Sequence, residues 1–451
     1  MSHRVRSLVP CALLFAASSV LPAPSHAART AHASDALPPD VVIVLVDDLG
    51  WGDVGWHARD KIATPRLDAL AKSSVVLERF YTAPLCSPAR AGLLTGRSPV
   101  RMGVLRNFTA QEGAGLPLDE ELLPQAFRRA GYATAIVGKW HLGSARREQH
   151  PTARGFDHFY GHLSGWIDYL SHEHNGVLDW QRDGVALREA GYSTRLLSQE
   201  AIRVLRERDS ARPLFLYVAL NAPHPPLAMP PGGKLDTREA ERDKRGVYAL
   251  VVAEMDRAIG AIADAIEKSD RARDTILFFA SDNGADVRFG GSNAPLRAGK
   301  ATVFEGAIRT PAFVRWPGKL SPGSSSAVVT HLDVLPTLAG AAGIELKTAK
   351  PLDGRDLWSR LAGGASEDVE PHVFACERQE ELSYAVLAGR WKLVEQIETR
   401  SGAVHDLLFD VFTDPSEEHD VLAAHLELAD ERRAVLRKWE AMTRLPHVEE
   451  R

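Results

Sequence analysis

The sequence predicts an α/β fold: a large, mostly parallel sheet with helices on both faces, then a small C-terminal antiparallel α+β subdomain. Two observations carry the first part. Four short apolar runs, Val41–Val46, Ala133–Val137, Leu214–Leu220 and Thr275–Ala280, are continuous rather than alternating, the pattern of strands buried on both faces. Helical stretches lie between them. Over 247–267, Val251, Met255, Ile259, Ile262 and Ile266 recur at spacings of four and three, one face of a helix. Strands alternating with helices build parallel units. A third observation carries the subdomain. After about residue 345 the runs shorten, and Gly363-Gly364 marks a boundary. Tyr384–Leu387, Trp391–Val394 and Leu408–Asp410 then read as strands before a charged helix around 422–442. The expected division is a main domain over 38–362 and a subdomain over 363–451.

The N-terminus reads as a secretory leader over residues 1–27. Arg4 and Arg6 form its basic start, Leu8 to Val20 its apolar stretch, and Ser25-His26-Ala27 its cleavage site. Export to a periplasm or to the medium is therefore expected. The apolar stretch is too short for a comfortable membrane span, and no other stretch is long and apolar enough. The chain of 451 residues carries 54 basic and 59 acidic side chains, a net charge of −5, which gives no basis for nucleic-acid or membrane-surface binding through bulk charge. Of its three cysteines, Cys11 lies in the leader. The distant pair Cys86 and Cys376 makes no disulfide framework. Asn107-Phe108-Thr109 is a glycosylation sequon, which matters only in a eukaryotic host.

Each of the four buried strands ends in polar residues. The first ends in Asp47-Asp48, the second runs into Lys139-Trp140-His141, the third into Asn221-Ala222-Pro223-His224 and the fourth into Asp282-Asn283-Gly284. Ligands of open α/β sheets bind outside the carboxyl ends of the strands, so four such endings predict one shared site. Asp47, Asp48, Asp282 and Asn283 offer only oxygen, the preference of hard cations such as Ca²⁺ and Mg²⁺; zinc or copper would draw on His and Cys. Lys139, His141, His224 and Lys300 supply charge and protons.

Cys86 opens the string Cys86-Ser87-Pro88-Ala89-Arg90-Ala91-Gly92-Leu93-Leu94-Thr95-Gly96-Arg97. Read plainly, it is a thiol just before a helix, with Ser87 as the cap and Pro88 at the first helical position. A helix N-terminus lowers a thiol pKa and attracts anions, so a cysteine nucleophile acting on an anionic ester is one expectation. Arg90, four residues on, lies on the same helix face. The string also resembles, position for position, the Cys-x-Pro-x-Arg-x-x-x-x-Thr-Gly signature of the type I sulfatases. The stretches 161–173, 212–220 and 296–306 are similar to that family too, the first two to its arylsulfatase B type, whose members act on N-acetylgalactosamine 4-sulfate.

The resemblance implies an alkaline-phosphatase-like fold and a sulfuric ester hydrolase acting on sulfated carbohydrates. It implies that Cys86 is converted to formylglycine by a formylglycine-generating enzyme, and that the hydrated aldehyde attacks sulfur. It implies a divalent metal, calcium first and magnesium second, on Asp47, Asp48, Asp282, Asn283 and position 86. Arg90 would stabilise the hydrated aldehyde, and Lys139 and Lys300 would hold sulfate. His224 would protonate the leaving alcohol, and His141 would take the proton that expels sulfate. Glu305 and Arg309 are expected to be structural. Two alternatives stand beside this reading: a phosphonate or phosphate ester hydrolase with the same nucleophile, and a non-catalytic binder of sulfated glycans that keeps Cys86 as a thiol.

Overall fold

The computed structural model describes residues 37–57, 62–109, 113–235, 242–363 and 370–442. The expected leader and its cleavage site lie outside them, as does Gly364. In chain order the strands of the main sheet and its attached hairpins are β1 (Asp40–Val46), β2 (Val75–Tyr81), β3 (Ala133–Lys139), β4 (His158–His162), the two-residue β5 (Glu173–His174), β6 (Val177–Leu178), β7 (Gln181–Arg182) and β8 (Val185–Ala186), then β9 (Leu214–Ala219), β10 (Thr275–Ser281), β11 (Ala312–Arg315) and β12 (Gly323–Thr330). Ten of them form one sheet in the order β12-β2-β11-β10-β1-β9-β3-β4-β7-β8, while β5 and β6 pair separately.

The four strands read from sequence are β1, β3, β9 and β10. They lie side by side in the middle of the sheet as β10-β1-β9-β3, all parallel. Continuous apolar sequence follows from that position, because both faces are covered. Val41, Ile43 and Leu45 of β1 enter one core and Val42, Val44 and Val46 the other. Burying one such side chain stabilises by about 1.5–3 kcal/mol. Helices Cys86–Thr95, Leu123–Arg129 and Val334–Ala341 pack on the first face. Helices Pro65–Lys72, Ser193–Glu207 and Lys244–Glu267 pack on the second. The last is the expected 247–267 helix, extended by one turn to a cap in which the Asp243 carboxylate accepts from the Gly246 N–H at 2.8 Å.

The C-terminal part is a four-stranded antiparallel meander, β13 (His372–Arg378), β14 (Glu381–Ala388), β15 (Trp391–Glu398) and β16 (Val404–Asp410). Helix Leu426–Met442 covers one face, through Ala429 and Leu436. The other face joins Tyr81, Leu85, Phe304 and Ile308 of the main body in one core. At that junction Lys392 is wholly buried, 3.0 Å from Glu305 and 2.9 Å from Glu417, both also wholly buried. Tyr81 donates to Glu305 at 2.9 Å, and Arg309 lies 3.6 Å from the same carboxylate. Removing the ammonium leaves two buried carboxylates without the cation they share. Lys392→Ala is therefore expected to cost about 3–5 kcal/mol, measured by chemical denaturation; a much smaller loss would show that the pair is compensated elsewhere.

Candidate active site

The carboxyl ends of β1, β3, β9 and β10 converge as the parallel register requires. Val46 pairs with Ser281, which sets Asp47 and Asp282 at one level, and the Asp282 N–H donates to the Val46 carbonyl at 2.9 Å. Asp48 then turns into the left-handed region with φ 67°, a conformation that Asp tolerates better than most residues. Asn283 follows Asp282. Gly284 is needed there because a Cβ would meet the Gly306 carbonyl oxygen at 1.8 Å.

Cys86 begins the helix Cys86–Thr95 rather than preceding it, so Pro88 is the third helical residue. Ser87 is not the cap. Its hydroxyl donates to the His141 carbonyl at 2.9 Å and accepts from the Phe108 N–H at 3.1 Å. The Ser87 N–H is satisfied by the Asn107 side chain at 3.0 Å, so the sequon asparagine supports the start of this helix.

Around the wholly buried Cys86 the charged groups alternate in sign. Lys300 Nζ lies 3.2 Å from Sγ and 2.6 and 2.8 Å from the two Asp48 oxygens. Lys139 Nζ lies 2.7 Å from Asp47, and Asp47 Oδ1 is 3.5 Å from Sγ. Arg90 donates twice to Asp282 Oδ2, at 3.0 and 2.8 Å, and lies 3.7 Å from Asp47. His224 Nε2 is 3.7 Å from Asp48. His141 is buried beside them with Nδ1 unpartnered. Every site residue expected from the sequence is thus brought to one place, while Glu305 and Arg309 stand apart in the junction with the C-terminal sheet.

Burial decides the ionisation. The Cys86 thiol is pushed up to about 12 by desolvation, against Lys139 and Lys300. The expected lowering by a helix N-terminus is therefore overturned: lost hydration outweighs it, and Asp47 and Asp282 add to the cost of a thiolate. Burial also works against charge on Asp48, but Lys300 and His224 hold its carboxyl down at about 2. Asp282 is pushed up to about 6 by burial and by Asp47, despite Arg90. Burial and Lys300 pull His224 down to about 3, and burial and Lys139 hold His141 well below the ordinary imidazole range. Both rings are neutral. His224 Nδ1 faces the Pro225 carbonyl as donor, which leaves the Nε2 lone pair toward the site.

The residues can hold a divalent cation, and His224 joins the oxygen set expected from the sequence. Asp47, Asp48, Cys86 and His224 present ligand atoms within 4.8 Å of one another, and the buried Asn283 Oδ1 has no partner. Asp282 faces Arg90 with one oxygen and the Asp48 N–H with the other, at 3.3 Å. Three carboxylates are matched by three fixed cations, so a divalent ion adds charge that an anionic ester and an anionic nucleophile would cancel.

Beside His141 and His224 a cleft of about 320 Å³ opens, walled by Asn107, Phe108, Ser144, Trp166, His174 and Asn175. None of these wall residues was read from the sequence as functional. They come from loops and from the β5–β6 hairpin, where no periodicity marks them.

Residues 39–344 match the family model described as Sulfatase, and residues 298–440 match that of the N-sulphoglucosamine sulphohydrolase C-terminal region. Arylsulfatase J of Mus musculus is 36% identical over 336 residues, 72% of this chain and 56% of its own. N-acetylgalactosamine-6-sulfatase of Rattus norvegicus is 36% identical over 354 residues, 72% of this chain and 66% of its own. The chain thus spans only part of the length of these relatives. The solved structure of Ps i-CgsB in complex with k-i-k-neocarrahexaose superposes with a TM-score of 0.82 at 29% identity, over 91% of this chain and 94% of that one.

Proposed function

The chain belongs to the sulfatase family, and on that premise we propose that it hydrolyses sulfate monoesters of carbohydrates. One observation carries the reading: Lys139, Lys300 and Arg90 converge with three carboxylates on position 86 at the carboxyl edge of the sheet. Formylglycine at position 86 would supply the hydroxyl that attacks sulfur. A divalent ion, calcium in this proposal, held by Asp47, Asp48, Asp282, Asn283 and position 86, would supply positive charge beside it. Because Cys86 is wholly buried, its conversion by a formylglycine-generating enzyme has to precede closure of the fold.

The chain's own side chains do the rest. Lys139 and Lys300 bind the sulfate oxygens without reorganising, since carboxylates already fix their ammonium groups. His141, neutral and with a free ring nitrogen, accepts the proton whose removal expels sulfate. His224 is neutral in the free site; when the anion binds, its Nε2 takes up one proton from solvent and passes it to the oxygen of the leaving alcohol. Each proton transfer contributes about 10²–10⁴-fold. The carbohydrate class is supported by the named glycan relative and by the oligosaccharide in the Ps i-CgsB structure. The leader-like N-terminus supports export, and among the described residues no helix is long and apolar enough to cross a membrane.

Mass spectrometry of the peptide spanning position 86, from the native host, tests the nucleophile. A mass loss equal to replacing SH₂ by O is expected; an intact thiol would refute it and favour a glycan binder. Initial rates on an aryl sulfate and an aryl phosphonate diester test the ester class. The sulfate is expected to be cleaved faster by at least about tenfold, a difference of about 1.4 kcal/mol in transition-state binding. A clear preference for the phosphonate would reassign the substrate.

A further inference from the structure

The cleft beside the two histidines differs in kind from the site it adjoins. The reacting centre holds six ionic side chains, whereas the described residues lining the cleft include no Asp, Glu, Lys or Arg. Its polar groups are amides, hydroxyls and imidazoles, set among Phe108, Leu163 and Trp166. Two backbone donors of the wall are already taken. The N–H groups of Leu163 and Ser164 do not serve the cleft, because they donate to the Asp179 carboxylate at 3.0 and 2.8 Å, and the Ser164 hydroxyl donates to the same carboxylate. The Trp166 carbonyl accepts from His174 at 3.0 Å, and the two rings lie 4.4 Å apart, which fixes an aromatic surface at the cleft edge. Aromatic faces with amide groups around them suit a polyol. A second anion placed there would lose hydration without gaining a cation.

Resting on the sulfatase reading, we propose that the leaving-group side of the site selects an uncharged sugar unit whose only anionic group is the scissile sulfate. It rejects a uronate or a unit carrying a second sulfate. Lys139 and Lys300 hold the sulfate being cleaved, Arg90 is paired with Asp282, the His224 proton goes to the leaving alcohol, and no described Lys or Arg lines the cleft for a second anion.

The test is equilibrium binding to full-length Cys86→Ala protein at saturating calcium, which removes turnover from the readout. The probes are the 4-sulfate, the 6-sulfate and the 4,6-disulfate of N-acetylgalactosamine, with inorganic sulfate as reference. The tighter monosulfate is expected to bind at least ~10-fold more tightly than the disulfate. Ser144→Arg, made in the same background at a half-buried wall position, is expected to bring that ratio toward one by supplying a cation. Equal or tighter binding of the disulfate while inorganic sulfate still binds would overturn this proposal alone. So would a ratio unmoved in a folded Ser144→Arg protein. Failure of the sugars and of inorganic sulfate to bind at all would remove the sulfatase reading, and this proposal with it.

Discussion

Cys86→Ala is expected to reduce turnover of an aryl sulfate by about 10⁴–10⁶-fold, the scale of losing a nucleophile that acts in concert with its neighbours. Stability should change by only about 1 kcal/mol, the ordinary cost of a point substitution. The split between the two readouts is what identifies the role. A thiol raised to about 12 is roughly 10⁻⁵ ionised at neutral pH, so an unmodified Cys86 is a poor nucleophile in this setting. It is also enclosed by carboxylates that suit a hard cation, a partner for oxygen rather than for a soft thiolate. Retention of more than a few per cent of activity in a correctly folded Cys86→Ala protein would remove position 86 from the chemistry.

Chelation is expected to have the second largest effect. Removing the divalent ion should lower turnover at least ~100-fold, the order of losing one electrostatic stabiliser of the transition state. It should also lower the melting temperature, because an ion bound only by the folded state stabilises it by mass action. Re-addition of calcium should restore both, and magnesium in its place tests the choice of ion. Asp48→Ala should abolish the response to calcium, since Asp48 lies in the group of close ligand atoms and is ionised across the physiological range. Full activity after verified removal of metal would refute the site. The buried, unpartnered Asn283 Oδ1 gives this prediction its structural reason: a buried carbonyl oxygen left without a donor costs about 1–3 kcal/mol, which a bound cation offsets.

The legible elements were those whose environment is uniform along their length. β1, β3, β9 and β10 are buried on both faces, so their sequence shows it residue by residue. β2 and β12 escaped notice because they lie at one end of the sheet. β2 carries Glu78 and Arg79, and β12 opens on Gly323 and three serines. In the C-terminal meander the expected segments fell on the buried stretches of β14, β15 and β16, in the middle of the first, at the start of the second and at the end of the third. The exposed ends were missed, as was β13 as a whole. The expected terminal helix proved to be a short 3₁₀ turn, Leu422–Ala424, followed by Leu426–Met442.

Covalent spacing and local periodicity determined what the sequence alone conveys: four central strands, polar residues at their carboxyl ends, and Cys86 four residues ahead of Arg90 on a helix. In parallel strands of matched register these features must meet, so the chemistry of the site was readable before its geometry. Tertiary structure alone decided the rest. Desolvation raised the thiol and neutralised both histidines, and it depends on everything packed around a group rather than on its neighbours in the chain. Ser87 found its partner in His141, 54 residues away. The uncharged wall beside the histidines was assembled from separate loops and a short hairpin, whose side chains acquire a common purpose only when the fold brings them to one cleft.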